Sequence, residues 1–208
     1  MLPRPKRPTH TEWLLGGGGA AAALALVLLA SRAGPHNLLP SKFGLAVLAA
    51  AKKQVGLSED NGDAAVNAML AAVGAPAESD WCAAAVASWV RQAASALGVA
   101  PPIAGSASVM TTVAQLRASP KAFWYSADAL QASPGLVSAG MVVAWSRGGA
   151  SSGLGHMGVV SSTQGGGRFT SVEGNAQGQA VVQNSHDLSA PSLLGMAQFL
   201  DWTIWGLS

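Results

Sequence analysis

The hydrophobic pattern of this chain changes period near Gly140, and no other feature constrains the fold as much. Before it, apolar residues recur at helical intervals. Phe43, Leu45, Ala46, Leu48, Ala49 and Ala50 begin a run that stops around Val55 and Gly56. SEDNGD (58–63) then offers a turn and an N-cap, and residues 64–73 read as a second short helix closed by Gly74. Residues 82–97 are the best-patterned helix of the chain beyond residue 41, with Val86, Trp89, Val90 and Leu97 on one stripe; Gly98 ends it and Pro101-Pro102 forbid its continuation. Residues 109–116 and 127–130 suggest two more short helices around an aromatic cluster, Phe123-Trp124-Tyr125. After Gly140 come four β-rich runs (141–145, 156–162, 169–174 and 180–184) separated by glycine-rich turns, and 199–205 offers a fifth. Helices followed by antiparallel strands predict an α+β domain, with the N-terminal helices packed on an antiparallel sheet.

The N-terminus follows a different logic. Arg4, Lys6 and Arg7 precede a stretch without charge from Leu14 to Ala30. From Trp13 it is about the minimum length for a helix to cross a bilayer. Retained, such a segment is a signal anchor with residues 1–12 as a basic cytoplasmic tail and the rest of the chain outside. Cleaved near Gly34, after Ser31-Arg32-Ala33, it is a signal peptide. Both readings of residues 13–33 export the remainder, through a linker at 34–41 punctuated by proline and asparagine. Its glycine- and alanine-rich composition also resembles the signal-arrest-release segments of some phage endolysins. Four of the twelve basic residues (Arg4, Lys6, Arg7, Arg32) flank this segment, and the net charge is only +2, which leaves no broad basic face for nucleic acid.

Chemistry centres on Cys82, the only cysteine in 208 residues. A lone cysteine excludes an internal disulfide and a zinc site built on several thiolates. In an alanine-rich helix it is most often a small buried hydrophobe. Here, however, Ser79 or Asp80 is expected as N-cap, which puts Cys82 in the first turn, where backbone N–H groups and the helix dipole favour a thiolate. A thiolate needs a base. Of four histidines, His10 falls in the basic tail and His36 in the linker, leaving His156 and His186. His156 starts a strand-like run, and Glu173-Gly174-Asn175 ends the next one. In a hairpin through residues 163–168 the start of one strand faces the end of the other, so Glu173 or Asn175 could reach His156 and hold its tautomer.

Four blocks, Trp81-Cys82 with Val86 and Trp89 (WCxxxVxxW), GMVVAW at 140–145, GHMGVV at 155–160 and VEGN at 172–175, resemble in order a CHAP domain, a cysteine, histidine-dependent amidohydrolase/peptidase of the NlpC/P60-like, papain-like superfamily. The resemblance implies a papain-like domain over residues 42–208. It implies peptidoglycan as substrate, cleaved as an N-acetylmuramoyl-L-alanine amidase or a crosslink endopeptidase. Cys82 is similar to the family nucleophile, His156 to the general base, and Glu173 and Asn175 to the acceptors that orient it. The family often has Gly-Asp where this chain has Gly140-Met141. Only Glu78 and Asp80 precede the cysteine closely, and SEDNGD lacks EF-hand spacing, so no metal and no cofactor is expected. The expected partners are peptidoglycan and, through residues 13–30, a membrane. A non-catalytic, membrane-tethered CHAP-like module that binds wall fragments is the alternative; a holin-like pore would need more than one span, and hydropathy gives one.

Overall fold

A computed structural model describes residues 39–148 and 154–201. The basic tail, the apolar segment at 13–33, the linker up to residue 38 and the end of the chain from residue 202 lie outside the described residues. Among the described residues no helix is long and apolar enough to cross a membrane.

The elements run α1 (Lys42–Lys52), α2 (Glu59–Ala71), α3 (Cys82–Leu97), α4 (Val109–Ala118), β1 (Ala122–Ser126), α5 (Ala127–Ala132), a 3-10 turn (Pro134–Leu136), β2 (Val142–Arg147), β3 (Leu154–Gly165), β4 (Arg168–Ala176), β5 (Ala180–Asp187) and β6 (Leu193–Phe199). The α+β expectation holds. Helix starts follow their caps: Ser41 Oγ accepts from the Gly44 amide, Ser108 from Thr111 and Ser126 from Ala129. α2 begins five residues earlier than the periodicity suggests. Ser58 and Asn61 form a capping box that draws the expected turn into the helix, which kinks at Gly62.

The sheet is antiparallel throughout, in the order β1-β6-β2-β3-β4-β5. The aromatic cluster at 123–125 is strand β1, paired through Trp124 with Ala197 and through Tyr125 with Met196. Among the described residues the last strand is Leu193–Phe199, which enters between β1 and β2; most of the run expected at 199–205 lies outside the described residues. Aromatic residues favour strands, but a five-residue strand gets its partner only from a segment about seventy residues away, which no local pattern announces.

Both faces of the sheet are covered. On one, Val142, Ala144, Met157, Val159, Val172 and Phe199 pack against α1–α4. On the other, Val143, Trp145, Val160, Phe169 and Met196 meet Leu130 of α5 and Val137. α3 is the central helix, buried from Cys82 through Ala87. Its two tryptophans are fully buried with their indole N–H groups satisfied, Trp81 by Glu59 Oε1 and Trp89 by Gln54 Oε1, each at 2.8 Å. α3 lies directly on β4 because position 174 is glycine: a Cβ there would stand 2.7 Å from Ala85 Cβ and 2.8 Å from the Trp81 ring.

Candidate active site

Cys82 is the first residue of α3, as the helix pattern requires, and is 3% exposed. The expected cap is corrected. Trp81 is the N-cap, and no side chain, neither Ser79 nor Asp80, caps the helix. Tryptophan has no oxygen to offer, so the first-turn N–H groups receive no side-chain acceptor. The Cys82 thiol points toward β3, with Sγ 4.0 Å from the carbonyl oxygen of Gly155.

His156 lies near the start of β3, opposite Trp145 of β2. It is 7% exposed and hydrogen-bonded through Nε2 to Glu173 Oε2 at 2.9 Å. Cys82 is the other side chain that acts on the ring electrostatically, and with Nε2 committed to Glu173 the remaining ring nitrogen is Nδ1. Helix start and hairpin therefore meet as their order in the chain suggested, although helix and strand are 73 residues apart. Gly158 makes the His156–Glu173 contact feasible. It sits across from Glu173 in the ladder, and a Cβ on it would lie 2.7 Å from Glu173 Cγ.

Glu173 is 2% exposed and accepts four side-chain hydrogen bonds. Oε2 takes His156 Nε2 and Asn184 Nδ2 (3.0 Å); Oε1 takes Ser171 Oγ (2.5 Å) and His186 Nε2. Burial alone would raise its pKa, but the four donors, His156 first, outweigh burial and hold the carboxyl well below the usual carboxylate range. For His156, burial lowers the pKa, while hydrogen bonds to Cys82 and Glu173 and the charge interactions with both raise it to about 9.

The strand alternation explains the set of donors. Phe169, Ser171 and Glu173 share one face of β4, and their partners in β5, His186, Asn184 and Val182, share the same face. The His186 ring also lies 4.5 Å from the Trp145 ring centroid and 5.5 Å from that of Phe169. Sequence reasoning named His186 as an available histidine and gave it no role. Its signal was the period-2 pattern 182-184-186, which is usable only once the β4–β5 register is known.

Asn175 is placed elsewhere. The ladder shifts register between Glu173 and Ala176, and Asn175 takes a left-handed conformation (φ 54°). Its amide turns off the strand and donates to Asp80 Oδ1 at 2.9 Å, two residues before Cys82. The expectation that Asn175 might orient His156 is thus corrected: Glu173 occupies that place, and Asn175 ties the chain before α3 to the end of β4.

Arg147, the last residue of β2, was also missed. Its Nη2 lies 3.0 Å from His156 Nδ1. A cleft of about 270 Å³ opens here, lined by Asp80, Cys82, Ser108, Arg147, Leu154 and Gly155. A smaller cavity of about 140 Å³, around Pro134, Gly167 and Phe169, includes none of these groups. A thiol at the wall of a cleft, a base and a buried carboxylate in series can deprotonate a nucleophile and return the proton to a leaving group. No family model matches the chain, and no curated protein matches it.

Proposed function

We propose that this chain is a cysteine amidohydrolase of peptidoglycan, a CHAP-like enzyme of the papain-like class exported to the wall side of a membrane by its N-terminal segment. One observation carries the catalytic part: Cys82, at a helix start with its thiol against Gly155, stands one residue along β3 from His156, whose ring is bonded to the buried Glu173. The substrate class rests on the resemblance of the four sequence blocks and on the basic-flanked apolar segment.

The chemistry follows from the geometry. The Cys82 proton passes to His156 Nδ1, and the thiolate adds to the carbonyl carbon of an amide in the cleft. Negative charge moves to the carbonyl oxygen, where the uncapped first-turn N–H groups of α3 are suited to receive it. His156 then protonates the leaving nitrogen as the C–N bond breaks, and a thioester remains on Cys82. Water, deprotonated by His156, adds to the thioester; the C–S bond breaks and the proton returns to the thiolate. Throughout, Glu173 holds Nε2–H, fixing the ring and balancing the imidazolium charge.

The test is digestion of purified sacculi by the full-length protein in detergent, followed by mass spectrometry of the products. Release of peptides with a new N-terminal alanine identifies an amidase, and a cut within the crosslink identifies an endopeptidase. Intact sacculi with the wild-type protein, or undiminished cleavage by Cys82→Ala, would sink the proposal.

A further inference from the structure

The contact between Arg147 and His156 has an implication for what the cleft binds. A guanidinium has hydrogens to donate and no lone pair to offer. In the neutral ring Nδ1, 3.0 Å from Arg147 Nη2, is therefore the acceptor, and that ring is the Nε2–H tautomer that donates to Glu173. The same Nδ1 lone pair is the one that the Cys82 proton needs, because Nε2 is committed. Arg147 and Cys82 thus compete for a single lone pair. While the guanidinium rests there, protonating the ring would set two cations face to face, each able only to donate.

Arg147 and Cys82 also line the same cleft, so an anion brought beside the thiol meets the guanidinium. A carboxylate accepts from a guanidinium through two parallel charge-assisted bonds, each stronger than a bond to a neutral imidazole. Asp80 shares the cleft, where its Oδ1 is held by the Asn175 amide, and its charge disfavours a second carboxylate on its own side.

We propose that Arg147 is the carboxylate-binding residue of this cleft, and that its transfer from His156 to a carboxylate on the ligand frees Nδ1 to take the Cys82 proton. The preferred ligand is an amide flanked by a residue with a free carboxylate, and its carboxamide counterpart is the poor one. The assignment of that ligand to wall peptides rests on the hydrolase reading; the exchange of Arg147 between His156 and a carboxylate does not.

Alkylation by iodoacetamide reads the exchange directly, since Cys82 is the only thiol in the chain. Full-length wild type, Arg147→Gln and Arg147→Lys are compared at neutral pH, each with N-acetylglycine or with its amide as probe. Arg147→Gln should be alkylated about 10-fold faster than wild type, the scale of losing one charge-assisted contact. Arg147→Lys should lie nearer wild type. N-acetylglycine should accelerate the wild type saturably and leave Arg147→Gln unchanged, and the amide should do neither. Equal rates for wild type and Arg147→Gln, or a wild-type rate indifferent to the carboxylate, would overturn the proposal. On soluble stem peptides, the wild type should prefer the free acid over the carboxamide about 10-fold in kcat/KM, and Arg147→Gln should lose that preference. Should the alkylation pattern hold while no wall peptide is cleaved, the hydrolase reading fails and the Arg147 assignment stands.

Discussion

On the sheet side of the cleft, Glu173 accepts from four side chains on three strands, and two imidazole rings lie against Trp145. On the helix side, Cys82 opens α3 with no side-chain cap and has the Gly155 carbonyl 4.0 Å from its sulfur. His156 is thus fixed by a closed network, and Cys82 by its helix and one long contact to a backbone carbonyl. A base must keep one tautomer and one orientation through two proton transfers, so rigidity serves it. A nucleophile must close on a carbonyl by the difference between van der Waals contact and a bond, and a tightly hydrogen-bonded sulfur would resist that.

This contrast can be broken at either side, and the largest loss is expected at the loosely held one. Cys82→Ala should lower hydrolysis of sacculi by at least about 10³-fold. Its midpoint of urea unfolding should move little, since alanine fills most of the site of a small buried hydrophobe. A large fall in stability would show that Cys82 is mainly a packing residue.

Glu173→Gln should cost both activity and stability. Its amide nitrogen meets two donors that it cannot accept, so hydrolysis should drop by about 10²-fold or more and stability by roughly 2–4 kcal/mol. The pH dependence carries a signature. The pKa of His156 is raised to about 9, so the stability it contributes is complete below its unfolded value near 6.5 and is lost as pH rises from there through about 9. Glu173 has the opposite sign: its pKa is depressed, and its contribution is present above about 4.5 and fades as pH falls below that. Unfolding midpoints measured from pH 3 to 10 should therefore fall at both ends, and in Glu173→Gln both slopes should flatten.

His186→Gln tests the second half of the clamp. Removing the Oε1 donor from β5 should reduce kcat by about 3- to 10-fold and leave KM nearly unchanged, because His186 acts on the ring of His156 only through Glu173. The smallest effect belongs to Asn175→Ala. Its amide binds Asp80, so activity should fall no more than about 2- to 3-fold. A loss as large as that of Glu173→Gln would mean that Asn175 reaches the imidazole during turnover.

The difference between the two sides also explains what the sequence disclosed. Cys82 was legible because a helix start leaves local marks: a stripe of Val86, Trp89 and Val90, and Gly98 at the end. His156 and Glu173 were legible because a hairpin with a short turn fixes which residues face one another. His186 and Asn184 were not, since their role depends on the β4–β5 register, which slips at Gly174 and Asn175. The same slip, a bulge with no sequence period, moved Asn175 off the imidazole. Arg147 was hidden for another reason: an arginine at a strand end reads as an ordinary solvated charge, and only the β2–β3 pairing brings it to the ring.

The clamp on Glu173 also bears on when the site is assembled during synthesis of the chain. Two of the four donors, Asn184 and His186, are on β5, and β6 must then slot between β1 and β2 before the sheet is continuous. Strands whose paired residues lie from 48 (Trp145–Leu193) to 77 (Ala122–Phe199) positions apart are joined last, because loop closure over such separations precedes any gain in contact energy. A chain emerging from its N-terminal end would present Cys82 long before the carboxylate that steadies its base is anchored. On the proposed reading, catalytic competence therefore arrives with the final fifth of the chain, and a partly emerged molecule is silent.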